Sequence, residues 1–325
     1  MKKELIISYE DDASKIALIE DGRLFELHEI KQNTDFVVGD IFVGKIKKLA
    51  PNLNAAFVNI GYEKDAFLHY QDLGPQYLTY RKFLQDTVSK RQQTSSLKNF
   101  QIQPEIDKHG TVDKVMAPQD EVLLQITKEP ISTKGPRIST QISLTGRFLV
   151  LIPFDNKVSI SKKVKSTEEK ARLKTLIESI KPEGFGVIIR TVAEGKKVAE
   201  LHNDMNQLVD KWNVCFKNIQ KNKTPAKVLS EEDKASAILR DNFNQDFVSI
   251  ICDDEQMVND MKNYLEVIAP ERKNIVQFYD SHIPLLEYYN VEKQLKQSFG
   301  KHVNIPSSKG AYLVIEHTEA LHVVD

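Results

Sequence analysis

The stretch VGDIFVGKIKKLAPNLNAAFVNIGYEKDAFL (38–68) constrains the fold more than any other part of the chain. Apolar residues alternate through Ile41, Val43 and Ile46 and again through Ala56, Val58 and Ile60, which is the period of half-buried strands. Pro51–Asn54 supplies the turn between the two runs, and Gly44 and Gly61 stand where a small curved barrel needs tight bends. Phe42, Phe57 and Phe67 are interleaved with Lys45, Lys47, Lys48 and Lys64. Rings beside cations on a small barrel suit a single-stranded nucleic acid, because bases stack on rings while ammonium groups hold phosphates. The same Phe residues would equally serve as barrel core.

At 325 residues the chain is long for one core, so two to four domains are expected. The net charge of −1 hides an uneven distribution. Residues 128–200 carry 15 Lys/Arg against 8 Asp/Glu, whereas residues 241–325 carry 7 against 14. A basic middle beside an acidic end points to a polyanion-binding region next to a carboxylate-rich one; solvated surface charge gives the same counts. Cys215 and Cys252 form no CxxC pair, which excludes a disulfide framework and a zinc knuckle and favours a reducing, cytoplasmic setting. The longest apolar run, Phe148–Pro153, is too short to span a bilayer, and Met1–Ser8 is too short for a signal peptide.

Along the chain, Leu5–Ile7, Ile16–Ile19 and Leu24–Leu27 read as strands, the last two joined by an Asp21-Gly22 hairpin turn, and Thr34–Val38 leads into the barrel. Residues 81–119 are polar and aperiodic and read as a long mobile loop inserted into the barrel, which Val122, Leu124 and Ile126 then close. Lys128, Lys134 and Arg137 in the loop 127–140 make a phosphate site or an ordinary solvated loop. A strand pair is expected around Gly146 and Phe148–Ile152. Ser166 and Glu169 have capping-box spacing at the head of a helix over 167–180. Arg190-Thr191 ends a strand and could bracket a terminal phosphate from opposite the Gly146 turn, or simply lie exposed. A helix over about 196–220 presents Leu201, Met205, Leu208, Trp212, Cys215 and Ile219 as one seam, and 221–225 is a candidate boundary. Helix and strand then alternate over 235–278, implying a small layered α/β domain. Asp253-Asp254 suits a helix cap better than a metal pair. Asp325 follows an apolar strand, a common placement for a divalent-metal ligand, yet one carboxylate cannot hold Mg2+ alone.

The segments NAAFVNIGYEKDAFLHY (54–70), ISLTGRFLVLIP (142–153), GVIIRTVAEGK (186–196), IPLLEYYNVEKQL (283–295) and EALHVVD (319–325) resemble, in order, the N-terminal part of the catalytic half of the ribonuclease E/G family. The resemblance implies an α+β multidomain chain. An RNase H-like α/β subdomain (1–35 and 217–280) would be interrupted by an OB-type S1 RNA-binding barrel (36–127, insertion 81–119) and a 5′-sensor domain (128–216). The start of a DNase I-like catalytic subdomain (281–325) would follow. It implies Phe57, Phe67 and Lys134 on the path of single-stranded RNA, to which the reading of the 127–140 loop adds Lys128. Gly146, Val150, Arg190 and Thr191 would grip a 5′-monophosphate, and Asp325 would be the first of two Asp ligands of catalytic Mg2+. The activity implied is metal-assisted hydrolysis of RNA phosphodiesters.

The family's second catalytic Asp, its two-Cys zinc-link and its dimerisation domain have no counterpart in this sequence, and the 81–119 insertion is longer than usual. The expectation is therefore a truncated chain that binds RNA but cleaves slowly or not at all. It would be a monomer or weak dimer, where the intact family forms homo-oligomers. The alternative is a non-catalytic RNA-binding or ribosome-associated scaffold; a third reading puts nuclease chemistry on Asp253 and Asp254.

Overall fold

A computed structural model describes residues 2–9, 13–31, 36–305, 308, 310–319 and 321–325. The chain forms two units, residues 1–34 with 233–325 and residues 35–232. The segment expected to enter the barrel, Thr34–Val38, begins outside the described residues.

The chain opens as an antiparallel meander of β1 (Lys3–Tyr9), β2 (Ala13–Glu20) and β3 (Arg23–Lys31). Asp21 and Gly22 both take positive φ, 47° and 79°, the two-residue hairpin geometry whose twist matches the strands it joins.

In the second unit, β4 (Ile41–Ala50), β5 (Ala55–Asn59) and β6 (Ala66–His69) come first, followed by α1 (Tyr77–Val88) and the single turn α2 (Val112–Val115). With β7 (Glu121–Lys128) and β8 (Arg137–Ser139) the strands close a barrel in the order β4-β5-β6-β8-β7-β4. Ile46, Ala56, Val58, Ala66, Leu68, Val122, Leu124 and Ile126 fill it, as the period-two pattern requires. Gly44 lies where β4 crosses to β7: a Cβ there would sit 2.8 Å from Val58 Cγ1 and 3.0 Å from Leu124 Cδ2. The first residues of β4 are buried on both faces, Phe42 inside the barrel and Ile41 and Val43 in the adjoining core. Phe42, grouped in the sequence with the surface rings, is thus core, stacked on Phe36 at 5.3 Å.

Residues 81–119 depart from the expected structureless loop. Their first part is the second half of α1, whose Phe83 and Leu84 are fully buried. Leu97, Val112 and Met116 are buried further on, and Ser95 O accepts the Trp212 indole N–H at 2.9 Å. Sparse apolar anchors with irregular spacing fix the segment, so no periodicity betrayed it.

The next layer comprises β9 (Leu144–Thr145), β10 (Leu149–Pro153), β11 (Val158–Ile160), α3 (Thr167–Ile180) and β12 (Phe185–Ile189), with sheet order β11-β12-β10-β9. The long α4 (Val198–Lys221) buries the expected seam against it, and Trp212 stacks on Phe83 at 5.4 Å. β13 (Ala226–Leu229) then returns to pair with β4. The boundary expected at 217 therefore falls inside α4, and residues 222–232 stay with the barrel. Lys227 reaches the fully buried Asp40 at 2.8 Å, which also accepts the Glu231 amide.

In the first unit, α5 (Lys234–Asn242), β14 (Phe247–Cys252), α6 (Glu255–Ile268) and β15 (Val276–Phe278) complete a sheet of order β15-β14-β1-β2-β3, with β1, β14 and β15 parallel. α5 and α6 cover one face; α7 (Leu285–Tyr288) and the start of α8 (Val291–Ser298) pack on the other. β16 (His302–Asn304), β17 (Tyr312–His317) and β18 (His322–Val324) form a small antiparallel sheet. The architecture is mixed α+β with a closed OB-like barrel. Among the described residues no helix is long and apolar enough to cross a membrane.

Replacing Trp212 by Ala removes a buried ring and an indole hydrogen bond, and should destabilise the 35–232 unit by about 3–5 kcal/mol in urea unfolding. Phe25→Ala, at a site 62% exposed, should stay within about 0.5 kcal/mol. A second expectation concerns acid. Ser166 caps α3, and Glu169 binds Arg172 through two hydrogen bonds of 2.6 Å and accepts the Gly195 amide at 2.8 Å. The Arg172 guanidinium first, and the Gly195 N–H second, lower the Glu169 carboxyl to about 2. A lowered carboxyl contributes stability above its unfolded value, and that contribution is lost as pH falls toward the folded value. Glu169→Gln should therefore cost on the order of 1 kcal/mol or less at pH 7 and nothing near pH 2, read from stability curves at the two pH values.

Candidate nucleic-acid interface

Burial alternates from Ala56 to Asn59 on β5 and along the whole of β6. Ala56, Val58, Ala66 and Leu68 are buried, so Phe57 and Phe67 point outward, where both are half-buried. The two are direct cross-strand partners, with ring centroids 5.8 Å apart at 68°. Lys48, opposite Phe57 on β4, holds its ammonium 5.1 Å from that ring's centroid, within cation–π range. On the other side Phe67 neighbours Arg137, which is tied bidentately to Asp72. Arg137 is thus committed to an ion pair, where the sequence suggested a phosphate ligand.

Lys128, at the end of β7, is exposed and lies opposite Arg137. Lys134 is exposed on a tight turn in which Ile131 and Lys134 exchange backbone hydrogen bonds of 2.9 and 3.2 Å. The structure therefore puts Phe57, Phe67, Lys128 and Lys134 on adjoining strands and loops of one barrel. Of the other cations in this region, Lys47 pairs with Asp65 and Lys64 with Glu63.

A second cluster forms where the β9–β10 turn meets the end of β12. Arg190 donates its amide to Phe148 O and its Nη1 to Gly146 O, both at 2.8 Å. Thr191 Oγ1 lies 2.9 Å from Ser161 Oγ, which the parallel β11–β12 pairing brings alongside. Val150 is half-buried on β10, opposite Thr145 and Ile188. Gly146, Val150, Arg190 and Thr191 are in this way gathered from two sequence segments. The Gly146 amide is already given to Leu149 O, so that residue contributes close approach, not a free donor. Arg147 and Lys196 both lie over the Phe148 ring, at 5.2 and 5.4 Å, and add positive charge beside the turn.

What fixes this turn is a residue the sequence reading missed. Asp204, on α4 and buried, accepts the amides of Arg147, Phe148 and Leu149, each at 2.9 Å. A Cβ on Gly146 would lie 2.7 Å from both carboxylate oxygens, so only glycine leaves room for them. Burial pushes the Asp204 carboxyl above its ordinary value, while the three amides pull against that. The available signal was a carboxylate three residues after Leu201 on an otherwise apolar seam. Ser161 had no comparable signal, since its role depends on which strands pair.

In the other unit Asp325 is exposed just beyond β18, and its backbone exchanges two hydrogen bonds with Val314. Among the described residues no three His, Cys, Asp or Glu side chains group to hold a metal ion. One carboxylate falls short of the octahedral oxygen shell of Mg2+, so no metal-dependent step follows from these residues. Asp253 accepts Ser8 Oγ and the Tyr9 amide, both at 2.7 Å, and Asp254 caps α6 through the Met257 amide. Asp254 is thus the helix cap the sequence suggests, while Asp253 ties β14 to the end of β1.

Residues 143–325 match the model of the ribonuclease E/G family. Over 322 residues the chain is 32% identical to ribonuclease G of Haemophilus influenzae, covering 99% of this chain and 61% of that protein. It is likewise 32% identical to ribonuclease E of Nostoc over all of this chain and 43% of that protein, and 28% identical to ribonuclease G of Escherichia coli over all of this chain and 62% of that protein. The chain thus spans about half the length of these relatives. With more than half of it matched by the family model and the whole of it aligned with such relatives, the chain belongs to the ribonuclease E/G family.

Proposed function

We propose that this chain is the RNA-binding, 5′-end-sensing part of an endoribonuclease that acts with Mg2+ in RNA processing or decay. The observation that carries the reading is the outward Phe57–Phe67 pair. Each ring is left half in water between fully buried neighbours; Lys48 lies over the Phe57 ring, Lys128 pairs across the strands with Arg137 beside Phe67, and Lys134 is exposed on the loop between β7 and β8. A single-stranded RNA covers the rings with its bases and places its phosphates among the ammonium groups.

The second contact is the turn at Gly146. Arg190 brings a forked charged donor and Thr191 a hydroxyl, a pairing suited to a terminal 5′-monophosphate. Asp325 is assigned one ligand position on Mg2+, and cleavage is assigned to the whole protein. The names of the relatives, ribonucleases E and G, support the substrate class. Two free, buried cysteines, each pushed up to about 12 by burial, accord with a reducing cytoplasm.

Four substitutions test the reading, each by fluorescence titration and the last also by its stability. Phe57→Ala should weaken binding of single-stranded RNA by about 1–3 kcal/mol per base unstacked with the barrel's circular dichroism unchanged; an unaltered affinity overturns the RNA path. Lys134→Ala should lower the salt slope of log Kobs by about 0.7. Arg190→Ala should weaken 5′-monophosphorylated RNA and leave 5′-hydroxyl RNA nearly unchanged, whereas equal loss on both rules out the sensor. Asp204→Asn turns a donor toward three amides and should cost about 1–3 kcal/mol of stability. It should also reduce the 5′-monophosphate preference with Arg190 intact.

A further inference from the structure

The sheet of β16, β17 and β18 carries a pair of side chains with no part in the reading above. Val314 and Asp325 exchange both backbone hydrogen bonds, at 2.8 and 2.9 Å, and Thr318 N donates to Leu321 O at 2.9 Å. Counting along the β17–β18 register between these bonded pairs, His317 and His322 are direct partners at a non-hydrogen-bonded position, where facing side chains come closest. Their ring centroids are 4.0 Å apart at 73°, and both residues are exposed. The turn beneath them is tied again by Thr318 Oγ1, which donates to Leu321 O at 2.7 Å and accepts the Leu321 amide at 3.2 Å. Among the described residues neither imidazole has a hydrogen-bond or ion-pair partner.

We propose that His317 and His322 form a two-imidazole site for a borderline transition metal such as Zn2+ or Ni2+, with water completing the shell. Imidazole is the ligand type these ions take, at about 2.0–2.1 Å. Two such bonds to one ion put the ring centroids about 5 Å apart, an opening of about 1 Å that small side-chain rotations supply at an exposed pair. The backbone register and the Thr318 clasp hold the two ligands on one side of the hairpin before the ion arrives. Residue 325 lies three positions beyond His322 on an alternating strand, so its side chain projects from the opposite face. The site is therefore distinct from the one assigned to Asp325, and its occupant would staple the hairpin that carries that residue.

The test is calorimetric titration of the whole chain with NiCl2 and ZnCl2, comparing the unaltered protein, the double variant His317→Ala/His322→Ala, and Asp325→Asn. The unaltered chain should bind one equivalent more than the double variant, and Asp325→Asn should retain that equivalent. Each single His variant should lower the affinity at least tenfold. Either ion should raise the melting temperature of the unaltered chain and not that of the double variant. Equal stoichiometry and affinity in the double variant, or loss of the equivalent in Asp325→Asn, overturns the proposal. RNA binding by the double variant should match that of the unaltered chain, so the outcome is independent of the RNA reading.

Discussion

A carboxylate buried inside a helix seam organises the basic half of this protein. Asp204 sits where the spacing of α4 calls for an apolar residue, and its charge is met by three consecutive amides. A buried anion is tolerated when its acceptor capacity is filled, and here the filling is done by the 147–149 backbone. The geometry runs outward from that contact. With the turn pinned to α4, the Gly146 carbonyl faces Arg190 and the Phe148 carbonyl receives its amide. The cation's position at the end of β12 is thereby set, through the 146–149 turn, by a residue on α4.

The barrel shows the same economy in a different material. β4 begins with both faces buried, since Ile41 and Val43 belong to the core shared with α4 while Phe42 fills the barrel. Further round, β5 and β6 have one face in the core and one in water, and there the alternation leaves Phe57 and Phe67 outside. One sequence pattern thus yields a core ring and two surface rings. The difference lies in what packs on the far side of each strand.

Periodicity made the regular parts legible. The hairpin at Asp21-Gly22, the helix over 167–180 and the α4 seam could be read because each repeats a local rule several times. Contacts that depend on one residue meeting a distant one were not legible. β13 was missed because four residues carry little pattern, and only the pairing with β4 defines it. The 81–119 segment read as a loop because its anchors, Leu97, Val112 and Met116, are too far apart to form a stripe. Arg190 and Thr191 could be singled out by residue type at a strand end. Asp204 and Ser161, which position them, act through tertiary contacts that no window of sequence contains.

The grouping of these residues bears on how recognition works. The outward rings and the Arg190 turn lie in one unit, and the two cores beneath them meet on the two faces of β4. Close-packed cores joined through a shared strand transmit little play, so the separation between the ring pair and the turn is set by the fold. On the proposed reading, an RNA engaging both contacts has its second contact made at an effective concentration that this fixed spacing determines. The preference for a 5′-monophosphate is then greatest for strands whose length matches the span and fades for those too short to reach. Asp325, given a Mg2+ ligand position on the same reading, belongs to the other unit, so on that reading recognition and cleavage answer to different packing constraints. Substitutions in the α4 seam should therefore alter the first while leaving the local structure of the second intact.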